Sequence, residues 1–384
     1  MNPVTSLPLS GLRVITLEQA VAAPFCSRQL ADMGADVIKI ERPDGGDFSR
    51  DYDHVINGQS AYFVWLNRGK RSVVLDLKQP EDHGKFNQLL MRADIFIHNL
   101  APGAVERLGF DYETLKEKHP RLIWCAISGY GPDGPYRDKR AYDMLIQAES
   151  GVPSLTGSPD EPAKVGVSIA DIAAGLYGYS SILAALLNRE RSGRGERIEI
   201  SMFECLVEWM MPPIYVWEGS GCAPVRAGMR HNMIVPYGAY PCKDDLVNFA
   251  IQNEREWQRF CTTVLQLPKL AQDKRFASNA QRLQNRQELE SLIENTFLAL
   301  SKQEVITRLE IAKIANGALN DVAKVATHTQ LEARKRWVEV NSPQGMIKTL
   351  LPPHNLSSIV PYMGAIPALG EHTQEVLNEL QEKP

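Results

Sequence analysis

One carboxylate lies in a segment where carboxylates are unexpected. Asp171 is the acidic residue in VGVSIADIAAGLYG, a run of small and apolar residues. Burying such a charge is costly unless it has a partner or a chemical task. Two interpretations follow from the residues alone. Asp171 is either a reactive carboxylate or a helix N-cap whose side chain points toward Gly175.

Basic residues follow three predicted strands. Arg42 comes after VIKIE, Lys78 after SVVLDL and Arg107 after the NLAPG turn. Ligands of open α/β sheets bind at the carboxyl ends of the strands, so these cations are placed to converge on a polyanion such as a nucleotide diphosphate. The alternative is that all three are solvated loop charges.

Several other chemistries lack their motifs. The sequence has no GxGxxG after its first strand and no GxxxxGK[ST]. AISGYG around Ser128 differs from a nucleophile elbow, because Ala126 stands where GxSxG needs glycine. HExxH and CxxC are also absent. We therefore expect neither a serine hydrolase nor a metal centre.

Composition indicates a globular enzyme-sized chain. The 384 residues include 42 Lys and Arg against 46 Asp and Glu, a net charge of −4, which disfavours a nucleic-acid-binding surface. The opening residues lack the pattern of a signal peptide, and no 18 consecutive residues are apolar. We expect a cytoplasmic protein with reduced cysteines and no membrane span.

Short β-branched runs alternate with helical segments. This alternation predicts an α/β fold with a Rossmann-like, doubly wound parallel sheet. The predicted strands are LRVITL (12–17), VIKIE (37–41), SVVLDL (72–77), DIFIHNL (94–100), RLIWCAIS (121–128) and RIEISMFE (197–204, entering a helix). The apolar segment 168–188 predicts a buried helix.

The later part of the chain changes character. We predict a large α/β domain over 1–205 with 330–384, a linker over 206–224 and a smaller α+β domain over 225–325. In the smaller domain, Ser301 and Glu304 form a capping-box pattern at the start of a helix.

Several segments in the same order resemble the class III (CaiB/BaiF, formyl-CoA transferase-like) CoA-transferases, almost from end to end. They are PLSGLRVITLEQAVAAPFCSRQLADMGADVIKIERPDGGDFSR, NRGKRSVVLDLK, NLAPGAVERLGFDYETL, ISGYGPDGPYRDKRAYD, VGVSIADIAAGLYG and PALGEHTQEVL. The resemblance implies that Asp171 is the nucleophile, which attacks an acyl-CoA thioester to give an acyl-aspartyl anhydride and then an aspartyl-CoA thioester. No cofactor beyond CoA as substrate is implied.

The resemblance also implies a CoA site. Arg42, Leu75, Lys78, Asn99, Leu100 and Arg107 match positions around the adenosine and phosphates, Arg140 matches one beside the pantetheine or the active site, and Ala20 and Val21 match the thiol end. A flexible loop covers the nucleophile in this family, and the matching segment is AGMRHNMIVPYG (227–238).

The chain departs from the oxalate and formate enzymes in two places. Its loop has Gly228 and Gly238 instead of consecutive glycines, and Val21 replaces a glutamine near CoA. The α-methylacyl-CoA racemases of the same family carry a GHD-like motif. Here the motif reads AYD, and the phenol of Tyr142 is a poor substitute for imidazole in proton transfer. A racemase is therefore the lesser alternative.

The acceptor acid is predicted from the loop. Arg230 and His231 are placed to pair with a second carboxylate, which favours succinyl-CoA as donor and a C5 dicarboxylate such as itaconate, mesaconate or citramalate as acceptor. The alternatives are a solvated loop, with a carnitine-like or oxalate-like acceptor, or a CoA-binding module without activity. The resemblance implies an interlocked homodimer. From charge and hydropathy we expect no nucleic-acid or membrane partner.

Overall fold

The computed structural model describes residues 7–381. The chain forms two compact units. The larger comprises residues up to 150, 166–209 and those from 330 onward, and the smaller comprises 151–165 and 210–329. The return of the last residues to the larger unit is visible in Val376, which is buried in its core.

The larger unit is built on a six-stranded sheet. Its strands are β1 (Arg13–Leu17), β2 (Asp36–Glu41), β3 (Lys70–Val74), β4 (Ile95–His98), β5 (Ile123–Ser128) and β6 (Arg197–Ser201). They lie in the order β3-β2-β1-β4-β5-β6, and every neighbouring pair is parallel. The order reverses between β1 and β4, the position at which doubly wound sheets bind their ligands.

The remaining strands are antiparallel. They are β7 (Tyr237–Pro241), β8 (Leu246–Ala250) and β9 (Asn316–Gly317), which form one sheet of the smaller unit, and β10 (Trp337–Val340) with β11 (Ile347–Leu350), which pair in the larger unit. The molecule is therefore a mixed α/β protein with a parallel main sheet.

Helices cover both faces of the main sheet. In chain order, the helices are α1 (Ala22–Asp32), α2 (Ala61–Asn67), α3 (Pro80–Leu90), α4 (Ala104–Arg107), α5 (Tyr112–Lys118), α6 (Asp143–Glu149), α7 (Ile169–Ser192), α8 (Met202–Trp209), α9 (Met211–Ser220), α10 (Glu254–Arg259), α11 (Asn279–Gln284), α12 (Arg286–Phe297), α13 (Lys302–Ile311), α14 (Val322–Ala326), α15 (Thr329–Ala333) and α16 (Thr373–Glu379). Phe86 and Leu115 pack on one face of the sheet, and α7 brings Gly178 against Ile127 on the other.

The sequence-derived elements are largely present, with shifted ends. The predicted strand 72–77 is β3, which begins at Lys70 and ends at Val74. Leu75 still donates its N–H to the Glu41 carbonyl oxygen at 3.0 Å and lines a cavity. The capping box of Ser301 and Glu304 begins α13. The segment 206–224, predicted as a linker, is mostly helical, since it contains the end of α8 and all of α9.

Helix α7 is not buried all round, as its composition had suggested. Leu176 is 40% exposed and Leu187 is 68% exposed, whereas Ala174, Gly175 and Gly178 are buried. Its length and hydropathy would also allow a membrane span. The small residues form the face that packs on α1, so we assign α7 to the core of the larger unit.

Candidate active site

Asp171 lies in the first turn of α7, close to the start of α1. Gly175, one turn further along α7, packs so tightly that a Cβ atom there would be 2.7 Å from the carbonyl oxygen of Ala22. This contact fixes the beginning of α7 beside the beginning of α1. The N-cap interpretation of Asp171 is wrong, because Ser168 is the N-cap residue and Asp171 is already inside the helix.

The side chain that caps α7 comes from elsewhere in the chain. Asp143 Oδ1 accepts a hydrogen bond from the Ala170 N–H at 2.8 Å, and Asp143 Oδ2 accepts one from Gln147 Nε2 at 2.8 Å. Asp143 therefore caps α7, because its carboxylate accepts a hydrogen bond from an N–H group in the first turn of the helix. Its negative charge is also brought close to Asp171.

Burial raises the pKa of Asp171 to about 7, and the Asp143 carboxylate adds to the shift by like-charge repulsion. A helix N-terminus normally favours a carboxylate. Here desolvation outweighs that effect. Asp171 is therefore partly protonated near neutral pH, whereas the family resemblance implied an ionised carboxylate. Once ionised, the poorly solvated carboxylate is an activated nucleophile.

Tyr52 links Asp171 to a second carboxylate. The pKa of Tyr52 is raised to about 12 by burial and by the nearby carboxylates of Asp47 and Asp171, with a smaller contribution from Tyr142. The charges of Asp47 and Asp171 are therefore both close enough to act on the Tyr52 phenol. Sequence reasoning missed Asp47, Tyr52 and Asp143 as site residues, because no local pattern distinguishes them from loop residues.

A cavity of about 660 Å³ opens at the carboxyl ends of the central strands. It is lined by Gln19, Ala20, Ala22, Arg42, Phe48, Asn99, Leu100, Ala101, Pro102, Ala104, Ile127, Ser128, Gly129, Lys139, Arg140, Ala141, Tyr142 and Met202. The lining contains three cationic side chains and no carboxylate. It therefore favours an anionic ligand.

A second cavity of about 440 Å³ adjoins the first and shares Gln19, Arg42 and Leu100 with it. Its other lining residues are Leu17, Glu18, Ile40, Glu41, Pro43, Asp44, Leu75, Asp76, Leu77, Lys78 and Leu108. Leucine and isoleucine side chains provide apolar walls for a flat ring. Arg42 lies where the two cavities meet and can reach a phosphate from either side.

Most of the predicted CoA residues come together here. Ala20, Arg42, Leu75, Lys78, Asn99, Leu100 and Arg140 line one or both cavities. Val21 is buried at the N-cap of α1, and Arg107 folds back toward Gly103, so neither of them lines the two cavities. The predicted roles of these two residues lack that geometric support.

The side chain of Asn99 has a structural task. Its Oδ1 accepts a hydrogen bond from the Gln19 N–H at 2.9 Å, and its Nδ2 donates to the Gln19 carbonyl oxygen at 2.9 Å. Both polar atoms of the amide therefore hydrogen-bond to the backbone just after β1. Asn99 shapes the cavity wall instead of offering a free amide to a ligand.

The predicted loop residues belong to the smaller unit. Gly228 is exposed, and its N–H donates to the Gly157 carbonyl oxygen at 2.9 Å. Arg230 pairs with Glu290 at 2.6 Å and with Glu294, and its guanidinium lies over the Tyr240 ring. Its charge is already neutralised, which weakens the prediction that it pairs with a substrate carboxylate.

His231 is held in a defined orientation. Its Nδ1 accepts hydrogen bonds from the Met233 N–H at 3.0 Å and the Ile234 N–H at 3.1 Å, and its ring stacks on Tyr237. Burial lowers the pKa of His231. These contacts leave Nε2–H as a donor. The segment 227–238 is thus held by several hydrogen bonds, and its role as a flexible loop over the nucleophile stays a prediction.

Within residues 7–381, no group of three or more His, Cys, Asp or Glu side chains is placed to hold a metal ion.

The chain matches the model of CoA-transferase family III over residues 9–373. It is 36% identical to a succinate–glutarate CoA-transferase of Agrobacterium fabrum, over 97% of this chain and 96% of that protein. It is also 37% identical to an acetyl-CoA:oxalate CoA-transferase of Acetobacter aceti, over 86% of each.

A solved structure agrees with these relatives. The crystal structure of a CaiB/BaiF family protein from Brucella suis superposes with a TM-score of 0.84, at 35% identity, over 98% of this chain and all of that one. The chain belongs to CoA-transferase family III. It is therefore an enzyme that transfers CoA.

Proposed function

We propose that the chain transfers CoA from succinyl-CoA to a C5 dicarboxylate, with Asp171 as the nucleophile. The observation that carries this proposal is the position of Asp171, in the first turn of a helix that packs against Ala22, a residue that lines the larger cavity. The name of the Agrobacterium relative includes glutarate, which is a C5 dicarboxylate. Glutarate therefore joins itaconate, mesaconate and citramalate as a candidate acceptor.

The proposed chemistry begins with the Asp171 carboxylate attacking the thioester carbonyl. A C–O bond forms and the C–S bond breaks, which gives a succinyl-aspartyl anhydride and CoA thiolate. The thiolate then attacks the aspartyl carbonyl, releases succinate and leaves an aspartyl-CoA thioester. Dividing the exchange into such steps replaces one difficult reaction by easier ones.

The acceptor completes the cycle. Its carboxylate attacks the aspartyl thioester and forms a second anhydride, again with release of CoA thiolate. Attack of that thiolate on the acceptor carbonyl gives the new CoA thioester and restores the Asp171 carboxylate. No metal or redox step is needed to balance these reactions.

The CoA moiety is proposed to occupy the two cavities of the larger unit. The smaller one has the apolar walls for an adenine ring, and Arg42 at the junction, with Lys78 on one side and Arg140 on the other, provides charge for the phosphates. The thiol end then lies near Ala20 and Ala22, beside the point where α1 contacts the helix that carries Asp171.

We also propose that the enzyme is a homodimer in the cytoplasm. Helix α9 is apolar, yet none of its residues is buried, and Tyr215 and Trp217 are 64% and 56% exposed. Such an apolar patch is typical of a protein interface. All six cysteines are free thiols, which fits a reducing compartment.

Mass spectrometry tests the reaction and the acceptor together. Purified protein is incubated with succinyl-CoA and one acid at a time: glutarate, itaconate, mesaconate, citramalate, oxalate or carnitine. We expect CoA transfer to a C5 dicarboxylate, with a CoA adduct on the peptide that contains Asp171. Asp171→Ala should lose both, by at least about 1,000-fold in rate.

Asp138→Ala is the matched control, because Asp138 is an exposed aspartate of the same unit. It should transfer CoA like the wild type. Transfer that survives in Asp171→Ala would contradict the assignment of the nucleophile. If no acid accepts CoA while a 2-methylacyl-CoA exchanges its α-hydrogen with solvent deuterium, the enzyme is a racemase.

Alanine substitutions test the acceptor-binding residues. His231→Ala should raise the KM of the dicarboxylate, because it removes the free Nε2–H donor. Arg230→Ala should change this KM less, because Arg230 is already paired with Glu290 and Glu294. An unchanged acceptor KM in both variants would remove the reason for assigning a dicarboxylate to this loop.

A further inference from the structure

A network of buried charges lies beneath the larger cavity. The side chains of Glu18, Lys39, Asp47 and Lys70 have no exposed surface. Lys70 donates to Glu18 Oε1 at 2.6 Å, and Lys39 donates to Glu18 Oε1 at 3.4 Å and to Asp47 Oδ2 at 2.7 Å. Apolar side chains of the same size are often at least as stabilising as such buried pairs, so stability alone does not explain the network.

The second carboxylate oxygen of Asp47, Oδ1, binds the backbone at two places. Asp47 Oδ1 accepts hydrogen bonds from the Ala20 N–H at 3.1 Å and from the Ser49 N–H at 2.9 Å. The second bond begins a short 3₁₀ helix over Phe48–Asp51. Ala20 and Phe48 both line the larger cavity. One carboxylate therefore fixes two parts of the cavity wall.

Ala20 needs such support. Its φ is +61°, in the left-handed region that residues with a Cβ atom rarely adopt. The strain persists only if the surroundings hold it. Ala20 is followed by Val21, the N-cap of α1, whose side chain makes no capping hydrogen bond. The conformation of Ala20 thus determines the direction in which the first N–H groups of α1 point.

This turn lies on the nucleophile side of the cavity. Ala22, two residues after Ala20, contacts Gly175, which lies one helical turn after Asp171. The charges of Asp47 and Asp171 also both act on the Tyr52 phenol. A change in the backbone at Ala20 would therefore move the cavity wall next to Ala22, where α1 contacts the helix that carries Asp171.

We propose that Asp47 is a positioning residue for CoA transfer, which holds Ala20 in its left-handed conformation and so fixes the wall beside the thioester. The proposal rests on the proposed function, since it assumes that a thioester is bound there. In this proposal, Lys39 binds Asp47 Oδ2, and Asp47 Oδ1 positions Ala20 by accepting the hydrogen bond from its N–H.

Two double variants separate the hydrogen bond from the ion pair. Lys39→Met with Asp47→Asn removes the pair but keeps an acceptor oxygen for the Ala20 N–H. Lys39→Met with Asp47→Ala removes both. The two proteins differ only at residue 47. Because Lys39 is replaced in both, neither protein has an unpaired positive charge at position 39. Asp51→Ala is the control, because Asp51 is exposed in the same 3₁₀ helix.

The expected effect is on kcat. The Asn double variant should keep kcat within about threefold of wild type, whereas the Ala double variant should lose at least about 20-fold, since small misplacements near a reacting centre are costly. The KM for succinyl-CoA should change by less than about threefold in both. Asp51→Ala should behave like wild type.

A glycine at position 20 provides the rescue. Glycine adopts φ near +60° without strain, so Ala20→Gly added to the Ala double variant should restore kcat at least about fivefold. It should not restore the melting temperature, because the network stays broken. A purely structural role of Asp47 would give no such rescue. Equal kcat in the two double variants, or no recovery with Ala20→Gly, would overturn the proposal.

Hydrogen exchange keeps this test separate from the proposed function. If the wild type transfers CoA to no acid, the proposed function has failed, and the kinetic comparison cannot be made. The amides of residues 19–23 should still exchange faster in the Ala double variant than in the Asn one. Equal exchange in the two would overturn the positioning role by itself.

Discussion

At the scale of residues, the defining feature is a carboxylate kept partly protonated by its surroundings. Asp171 is poorly solvated and lies close to Asp143, and together these raise its pKa to about 7. Only the ionised form attacks a thioester. The proposed nucleophile therefore has a reactivity that depends on pH in the physiological range.

The rate should follow the ionisation of Asp171. Below pH 7 the rate of forming the CoA adduct should rise about tenfold per pH unit, and it should level off above about pH 8. The measurement is single-turnover adduct formation across pH 5 to 9, with saturating succinyl-CoA. A profile that is flat down to pH 5 would show that the carboxylate has an ordinary pKa.

Asp143→Asn should move this profile toward acid. The amide keeps an oxygen for the Ala170 N–H but removes the like charge, so the midpoint should fall by about 0.5 to 1 pH unit. Asp138→Asn should leave the midpoint unchanged. A fall in the plateau rate with the midpoint unchanged would mean that Asp143 acts through geometry and not through charge.

The same pKa predicts an effect on stability. A carboxyl whose folded-state pKa is raised above its unfolded value contributes stability that is present at low pH and is lost as pH rises through about 7. Asp171→Asn should therefore be more stable than wild type by about 2 to 4 kcal/mol at pH 8, and about equally stable at pH 4. Urea unfolding at both pH values provides the comparison.

At the scale of elements, the contact between α1 and α7 determines the position of Asp171, the proposed nucleophile. Gly175 allows α7 to approach the Ala22 carbonyl oxygen, and Ala20 and Asp47 fix the start of α1. The sequence predicted both helices from their composition. It did not predict their closest point, because a glycine in a helix has no local signature that distinguishes a close contact from a weak helical position.

Gly175→Ala should disturb this contact. Its Cβ would meet a backbone oxygen that cannot rotate away, so we expect a loss of about 1 to 3 kcal/mol in stability and a reduced kcat. Gly84→Ala is the control, because Gly84 lies in α3 with nothing near its Cβ direction, and it should gain about 0.5 to 1 kcal/mol. Thermal unfolding and the transfer assay distinguish the two.

At the scale of the whole molecule, exposed apolar surface indicates assembly. Helix α9 was predicted as part of a linker, because the sequence from about 205 to 235 lacks a regular pattern, above all in WEGSGCAPVRAGMRHN. The structure instead contains a helix without a buried side. The proposed homodimer would cover this surface.

Trp217→Glu should weaken the assembly. A charge in the middle of this apolar helix face would be buried on association, which costs several kcal/mol if it is unpaired. Sedimentation velocity should show a dimer for the wild type and a smaller species for the variant. Leu298→Glu, at a half-exposed position after α12, should remain dimeric. A monomeric wild type would contradict the proposal.

The sequence by itself determined the alternation of strands and helices, the unusual position of Asp171 and the cations at strand ends, because hydrophobic period and residue type are local properties. Only the tertiary structure brought Asp143 to Ala170 and Asp47 to Ala20, two hydrogen bonds that each join residues 27 positions apart. It alone also showed that Arg230 is already neutralised by Glu290 and Glu294. A pKa, a strained turn and a paired charge depend on neighbours that folding supplies, and no single segment encodes them.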